Sequence, residues 1–304
     1  MLGSATPQGT GVTTTRKWIL ALSALALLGA ACAPEEKTPP AAEPTQSPAN
    51  AMTAASCATQ HEADFFEPGT LTVGTDFDFM FPPWILKRDP KSGKGFESAV
   101  AYEVALRMGF SEPQVNWVSV PFNRSYAPGP KRFDFDINNI SVTPEREKAV
   151  DFSDSYYDLT QALMVLKGSP IEHATTMNEI KNAIFGAQIG TTSLQYINTV
   201  IQPTSAPKVF DSTSDAKAAL RNGAVDGLVL DLPTAYFEAN INTPNGVLVG
   251  QFPNAGEHLG MLFEEGSLLV ECVNLSLAEM TADGTLKQLQ DKWLADYLAV
   301  PVIQ

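Results

Sequence analysis

The chain has 304 residues, of which 44% are hydrophobic and 18% are charged. Such a chain can bury a core, and its length suits one two-lobed domain or two ordinary domains, which excludes a wholly disordered protein. Twenty Lys and Arg residues stand against 34 Asp and Glu residues, which gives a formal net charge of −14. Because excess acid repels phosphate backbones and anionic lipid headgroups, we expect no nucleic-acid partner.

Residues 1–31 have the pattern of a secretory signal peptide. Two basic residues precede an apolar run over 18–28, which is too short to span a bilayer comfortably as a helix, so the pattern predicts export. Cys32 follows small residues and resembles the lipidated cysteine of a bacterial lipobox, although Gly29 stands where such sites usually carry Leu. The alternative is an ordinary secretion signal that is cleaved near Ala31.

Residues 32–68 are predicted to form the lipid anchor and an extended linker. Five prolines within residues 33–63, among Ala, Thr, Ser and Glu, cannot build a core, and such a spacer would hold a folded domain away from the membrane. Without Cys32 an even pair of cysteines remains, Cys57 and Cys272, in an exported and therefore oxidising setting. We expect a disulfide between them, and the alternative is two separate buried thiols.

From residue 71 onward, strand and helix patterns alternate. Short apolar or β-branched runs predict strands, and apolar residues at helical spacing predict helices, of which residues 96–108 are the first. Residues 143–146 carry a Thr followed by Pro, a pattern typical of a helix start. The alternation predicts an α/β fold with mostly parallel sheets and helices on both faces.

Seven stretches in register carry a resemblance to a known family. They are LTVGTD (71–76), FPPW (81–84), GF (95–96), SVTPEREKAVDFSDSYY (141–157), IGTTSLQY (189–196), AVDGLVLDLPTAY (224–236) and ADGTLKQLQDKWL (282–294). In these stretches the chain closely resembles the extracellular solute-binding proteins of polar amino-acid ABC transporters, known as solute-binding protein family 3.

The resemblance implies a two-lobed, type II periplasmic-binding-protein-like fold, with two doubly wound α/β lobes joined by a two-stranded hinge. Lobe 1 would comprise residues 69–157 plus 265–304, and lobe 2 would comprise residues 162–256. The hinge would lie near residues 158–161 and 257–264. Ligand would bind in the cleft between the lobes.

The family's ligand chemistry can be placed on individual residues. Arg146 would bind a ligand carboxylate through two parallel hydrogen bonds, which a guanidinium provides and an ammonium does not. Ser141 and the backbone at Asn139 would join it. Asp231, at the end of a strand, would accept the ligand's ammonium. Without a ligand, Arg146 could instead pair with Asp151, and Asp231 could be only a helix cap.

Further contacts are implied by the same resemblance. The backbone N–H groups of Thr191 and Thr192 open a helix and would favour a carboxylate, unless they form only a turn. Asp76 matches a position near the ligand's amino group or side chain. Phe81 and Phe122 match aromatic residues that enclose the ligand side chain, unless they belong to the core.

Two segments depart from the family pattern. The chain runs about two residues longer after Asp76, so Phe79 could take the place of Phe81. Residues 122–130 contain a Pro-Gly-Pro sequence that should break a helix. Arg124 and Tyr126 in this segment could reach the ligand, although a solvated surface charge is the simpler expectation for Arg124.

The resemblance implies a lipid-anchored binding protein that captures a free amino acid by hinge closure and delivers it to an ABC permease. We expect a monomer that contacts the membrane only through its N-terminal lipid and needs no cofactor. The alternative is a dehydratase that acts on a small cyclic carboxylic acid, with Asp76, Asp78 or Asp231 as the candidate general acid. Metal binding by Asp134 and Asp136 is not expected, because no further ligands are spaced to complete a shell.

Overall fold

The computed structural model describes residues 52–253, 255–297 and 300–304, so the predicted signal, Cys32 and most of the predicted linker lie outside the described residues. The described residues form twelve strands, which are β1 Leu71–Thr75, β2 Val115–Ser119, β3 Phe135–Asp136, β4 Val150–Phe152, β5 Tyr157–Asp158, β6 Gln161–Leu166, β7 Phe185–Gln188, β8 Lys208–Phe210, β9 Gly227–Asp231, β10 Gly246–Gln251, β11 His258–Leu259 and β12 Leu262–Glu264.

The helices pack around these strands and bury one face each. The described α-helices are α1 Ala54–Gln60, α2 Phe96–Arg107, α3 Phe122–Ser125, α4 Met177–Ile180, α5 Thr192–Tyr196, α6 Thr213–Arg221, α7 Leu232–Phe237, α8 Leu269–Ala282 and α9 Thr285–Leu294. In α2, Val100, Ala101 and Val104 recur at helical spacing and are fully buried, as predicted for a core-facing stripe. Within the described ranges, no helix has the length and apolarity needed to cross a membrane.

Lobe 1 is built on a five-stranded sheet with the order β2-β1-β3-β12-β4. Strand β1 runs parallel to β2 and β3, whereas β12 is antiparallel to β3 and β4. Its core contains Phe96 on α2, Phe135 on β3 and Phe263 on β12, all fully buried. The sheet therefore places the ends of β1 and β3 close together.

Lobe 2 has its own five-stranded sheet with the order β10-β6-β9-β7-β8. Strand β7 lies parallel between β8 and β9, and β6 is antiparallel to β9 and β10. A two-stranded antiparallel sheet of β5 and β11 pairs Asp158 with His258 and forms the hinge between the lobes. The predicted two-lobed fold with a two-stranded hinge is confirmed.

Two terminal segments add to the cores of the lobes. Ala54, Cys57 and Ala58 of α1 are buried in the same core as α2 of lobe 1. Ile303, near the other end, is buried in a core cluster of lobe 2. The burial of both short segments depends on distant partners rather than on a local pattern.

The predicted disulfide is present between Cys57 and Cys272, with a Cα–Cα distance of 5.3 Å. It joins α1 to α8 across a sequence separation of 215 residues. Both cysteines are fully buried in the lobe 1 core. In the loop-entropy account, a bridge that closes so long a loop stabilises the fold chiefly by restricting the unfolded chain.

Candidate functional site

A cavity of about 80 Å³ lies between the two lobes. A water molecule needs about 10–15 Å³ of such space, so the cavity has room for several waters or one small organic molecule. Eight of the nine predicted ligand-binding residues line it: Arg146, Asp231, Ser141, Asn139, Thr191, Thr192, Phe81 and Phe122.

Arg146 extends from lobe 1 and contacts lobe 2. Its Nη1 donates a hydrogen bond to the carbonyl of Ser141 at 2.6 Å, and its Nη2 donates to the carbonyl of Gly190 at 3.0 Å. The rings of Phe122 and Tyr126 lie 5.5 and 4.7 Å from its Cζ, within cation–π range. Burial lowers the pKa of the guanidinium, which nevertheless stays charged because arginine does not deprotonate in proteins.

Asp231 ends β9 on the lobe 2 side of the cavity. It occupies the N-cap position of α7, but its side chain makes no capping hydrogen bond, so a capping role does not account for it. Nε2 of Gln161 donates to Oδ1 of Asp231 at 2.7 Å and to Oε2 of Glu257 at 2.9 Å. Burial, followed by the negative charge of Glu257, raises the pKa of Asp231 to about 7, while Gln161 and Arg146 act in the opposite direction.

Ser141 and Asn139 line the cavity after β3, with some of their groups already engaged. The hydroxyl of Ser141 donates to Oε1 of Glu257 at 2.7 Å and lies 3.5 Å from Oγ1 of Thr192. The N–H of Asn139 donates to Oε1 of Glu97 at 2.7 Å. The backbone at Asn139 can therefore offer a ligand only its carbonyl oxygen.

The lobe 2 side is shaped by the turn into α5. Thr191 is the N-cap residue, and its Oγ1 accepts a hydrogen bond from the N–H of Leu194 at 3.2 Å. The same hydroxyl donates to the carbonyl of Gln188 at 2.8 Å. Gly190 has a φ of +76°, and a Cβ there would lie 2.5 Å from the hydroxyl of Tyr126, so glycine is required for both reasons.

Both Phe79 and Phe81 line the cavity, so either ring is placed to enclose a ligand side chain. Their ring centroids lie 6.5 Å apart in an edge-to-face arrangement. Phe81 also stacks on Phe237 of lobe 2 at 5.6 Å, so the two lobes share an aromatic contact across the cleft. These apolar rings lower the local dielectric constant around a bound molecule, which strengthens charged contacts with it.

Asp76 is the predicted residue that the structure does not bring to the cavity. Its carboxylate accepts hydrogen bonds from the N–H groups of Asp78 and Phe122, each at 3.0 Å. The two oxygens thus hold the loop after β1 and the first residue of α3. That Asp76 also contacts the ligand stays a prediction, since each carboxylate oxygen can accept a further hydrogen bond.

The site also contains residues that the sequence analysis does not identify, three of which are polar or charged side chains with a clear place in it. Gln188 and Asn138 line the cavity, and Glu257 lies behind it in hydrogen-bond contact with Ser141. Gln188 is a polar residue at the end of the buried strand β7, a signal that could have identified it, because ligands collect at the carboxyl ends of parallel strands. Glu257 lies in the hinge, where no periodic pattern marks it.

The two aspartates considered for metal binding have other partners. Asp134 accepts hydrogen bonds from the N–H groups of Phe66 and Thr72, and Asp136 accepts one from Ser125. Across the part of the chain that the structure describes, no group of three or more His, Cys, Asp or Glu residues is arranged to hold a metal ion.

The fold and the cavity define a two-lobed binding protein that encloses a small molecule between its lobes. The chain belongs to the bacterial extracellular solute-binding proteins, family 3, whose model matches residues 71–296.

Related proteins and solved structures agree with this assignment. The chain is 30% identical over 214 residues to the ABC transporter glutamine-binding protein GlnH of Bacillus subtilis strain 168, covering 69% of this chain and 76% of that protein. An ancestral arginine-binding protein bound to arginine superposes with a TM-score of 0.61 at 33% identity, covering 74% of this chain and 98% of that one. The ancestral amino acid-binding protein AncCDT-1, described as a precursor of cyclohexadienyl dehydratase, has a TM-score of 0.61 at 30% identity, with 74% and 95% covered.

Proposed function

We propose that this protein captures a free amino acid between its lobes and delivers it to the membrane permease of an ABC importer. The observation that carries the proposal is a pair of oppositely charged residues on one cavity, the buried Arg146 from lobe 1 and the partly buried Asp231 from lobe 2. A free amino acid carries one carboxylate and one ammonium, and this pair is complementary to both. Because the relatives are amino-acid-binding proteins, they support the same assignment.

Arg146 has donors to spare for this role. A guanidinium has five N–H donors, and the hydrogen bonds to Ser141 and Gly190 use two of them. The remaining donors can bind a carboxylate while the first two hold the guanidinium in place. Since the two carbonyls belong to different lobes, the same residue links ligand binding to closure of the cleft.

The proposal is tested by a thermal-shift screen of the common amino acids on protein that has been partly unfolded and refolded to remove carried ligand. Arg146→Ala should abolish ligand-induced stabilisation, because losing the partner of a buried carboxylate costs roughly 2–5 kcal/mol, or tens- to thousands-fold in affinity. Lys148→Ala is the matched control, since Lys148 lies in the same turn with its side chain 68% exposed. An Arg146→Ala protein stabilised as much as the parent would refute the carboxylate assignment.

A dehydratase remains the alternative on this scaffold. Asp231 has a pKa raised to about 7 by burial and by Glu257, which is a property that a general acid needs. The dehydratase precursor that the chain is similar to is itself described as an amino-acid-binding protein, which favours binding without turnover. Turnover of a cyclohexadienyl carboxylic acid by the purified protein would overturn the binding-only proposal.

We further propose that the protein is exported and anchored through Cys32, with residues 33–51 as a spacer. The support is the sequence pattern, since these residues lie outside the described ranges. Replacing Cys32 with Ser should move the protein from the membrane fraction to the soluble fraction, measured by fractionation of expressing cells. A variant that stays with the membrane would contradict lipid anchoring.

A further inference from the structure

Gln188 presents an amide nitrogen without a described hydrogen-bond partner at the cavity. It is only 7% exposed and lines the cavity from the end of β7. Its Oε1 accepts hydrogen bonds from both the backbone N–H and the hydroxyl of Thr213, each at 2.9 Å. Because a backbone N–H can only donate, this contact fixes which end of the carboxamide is oxygen. No described residue accepts a hydrogen bond from Nε2, so this group is left for a ligand.

A second carboxamide faces the same cavity from lobe 1. Asn138 is 8% exposed, and its Nδ2 is buried with no hydrogen-bond partner among the described residues. Buried amide groups in native proteins nearly always have partners. Nδ2 of Asn138 is enclosed, so the atoms open to the cavity are Nε2 of Gln188 and Oδ1 of Asn138, neither of which has a partner among the described residues, and a bound molecule with one acceptor and one donor would pair with both.

The charges of the lining restrict what that molecule can be. Arg146 and Asp231 are the only charged residues in the described lining, and under the proposed function they bind the carboxylate and ammonium common to all amino acids. A side-chain carboxylate would be buried without a cation, and a cationic side chain would meet the donor of Gln188. An uncharged side chain with an acceptor oxygen avoids both penalties.

Resting on the proposed function, we propose that the ligand is an amino acid with a carboxamide side chain, recognised by Gln188 from lobe 2 and Asn138 from lobe 1. Nε2 of Gln188 donates to the carbonyl oxygen of the ligand side chain. Because Nδ2 of Asn138 is enclosed, Oδ1 is the atom that this carboxamide presents to the cavity, where it accepts a hydrogen bond from the ligand's amide nitrogen. The two side chains thus bind both the carbonyl oxygen and the amide nitrogen of the ligand's carboxamide.

Calorimetric titration of the ligand-stripped protein tests this directly, with L-glutamine, L-asparagine, L-glutamate, L-arginine and L-lysine as probes. A carboxamide amino acid should bind more tightly than the three charged ones. In Gln188→Glu, one carboxylate oxygen still accepts from Thr213 and the other turns an acceptor toward the cavity. We expect carboxamide binding to fall at least about tenfold and binding of L-arginine or L-lysine to rise at least about tenfold.

Two further variants keep the test decisive. Gln288→Glu makes the same charge change at an exposed position of α9 and should leave every affinity unchanged. Gln188→Met removes the donor without adding charge, so it should weaken carboxamide binding without gaining cationic ligands.

The outcomes separate this inference from the proposed function. A parent protein that binds a charged amino acid most tightly would overturn the carboxamide assignment but leave amino-acid capture intact. A Gln188→Glu protein with the parent's order of affinities would also overturn it. A folded parent that binds none of the amino acids would contradict the proposed function itself, and this inference with it.

Discussion

The two charged residues that line the cavity are stabilised in different ways. Arg146 is held by carbonyl oxygens of both lobes and by aromatic rings, which leaves its charge unchanged. Asp231 accepts a hydrogen bond from Gln161, which also bonds Glu257, so two carboxylates share one donor. Desolvation by the surrounding protein raises the pKa of Asp231, and the negative charge of Glu257 adds to the rise because like charges disfavour double ionisation.

This raised pKa predicts that amino-acid binding releases a proton. With a pKa of about 7, Asp231 is largely neutral below pH 7 in the free protein, and a ligand ammonium favours its ionised form. Affinity should therefore rise with pH and be roughly tenfold weaker at pH 6 than at pH 8. Titrations across this range would show it, and Asp231→Asn should bind weakly with no such dependence. A parent affinity that is the same at both pH values would contradict the prediction.

At the scale of elements, the sequence patterns predicted strands better than the segments between them. Strands β6 and β9 are nearly continuous apolar runs, and such runs indicate buried strands whatever their partners. The helix expected to start at residues 143–146 is only a 3-10 turn, Arg146–Lys148, because β4 begins two residues later. The predicted break of the helix in residues 122–130 agrees with the short α3.

In the site too, residues within a local motif are predictable from the sequence, and contacts between distant residues are not. Arg146 and Asp231 lie in stretches with their own motif, so their positions could be inferred locally. The contact between Gln161 and Glu257 joins residues 96 positions apart, and no local pattern encodes it. Asp76 lies in a motif of its own, but the hydrogen bond that its carboxylate accepts from the N–H of Phe122, 46 positions away, is likewise encoded by no local pattern.

At the scale of the whole molecule, the C-terminal residues tie the two lobes together in addition to the hinge. Helix α9 belongs to lobe 1, yet Val302 forms a parallel bridge with Gln251 at the edge of the lobe 2 sheet. The N–H of Ile303 donates to the carbonyl of Gln251 at 2.8 Å, and the Ile303 side chain is 1% exposed. A Cβ on Gly250 would lie 2.8 Å from Cγ1 of Ile303, so the glycine allows this close approach.

This strap, residues 300–304, should contribute to stability through one side chain. Ile303→Ala removes a fully buried side chain and should lower the free energy of unfolding by about 2–5 kcal/mol. Val302→Ala is the matched control, since Val302 is 49% exposed and its loss should change stability by no more than about 0.5 kcal/mol. Urea unfolding of the three proteins measures both values, and equal effects from the two variants would mean that Ile303 is not buried against lobe 2.

Because the strap joins both lobes, its detachment should also let them separate further, so Ile303→Ala should show a larger ligand-free radius of gyration than Val302→Ala in X-ray scattering.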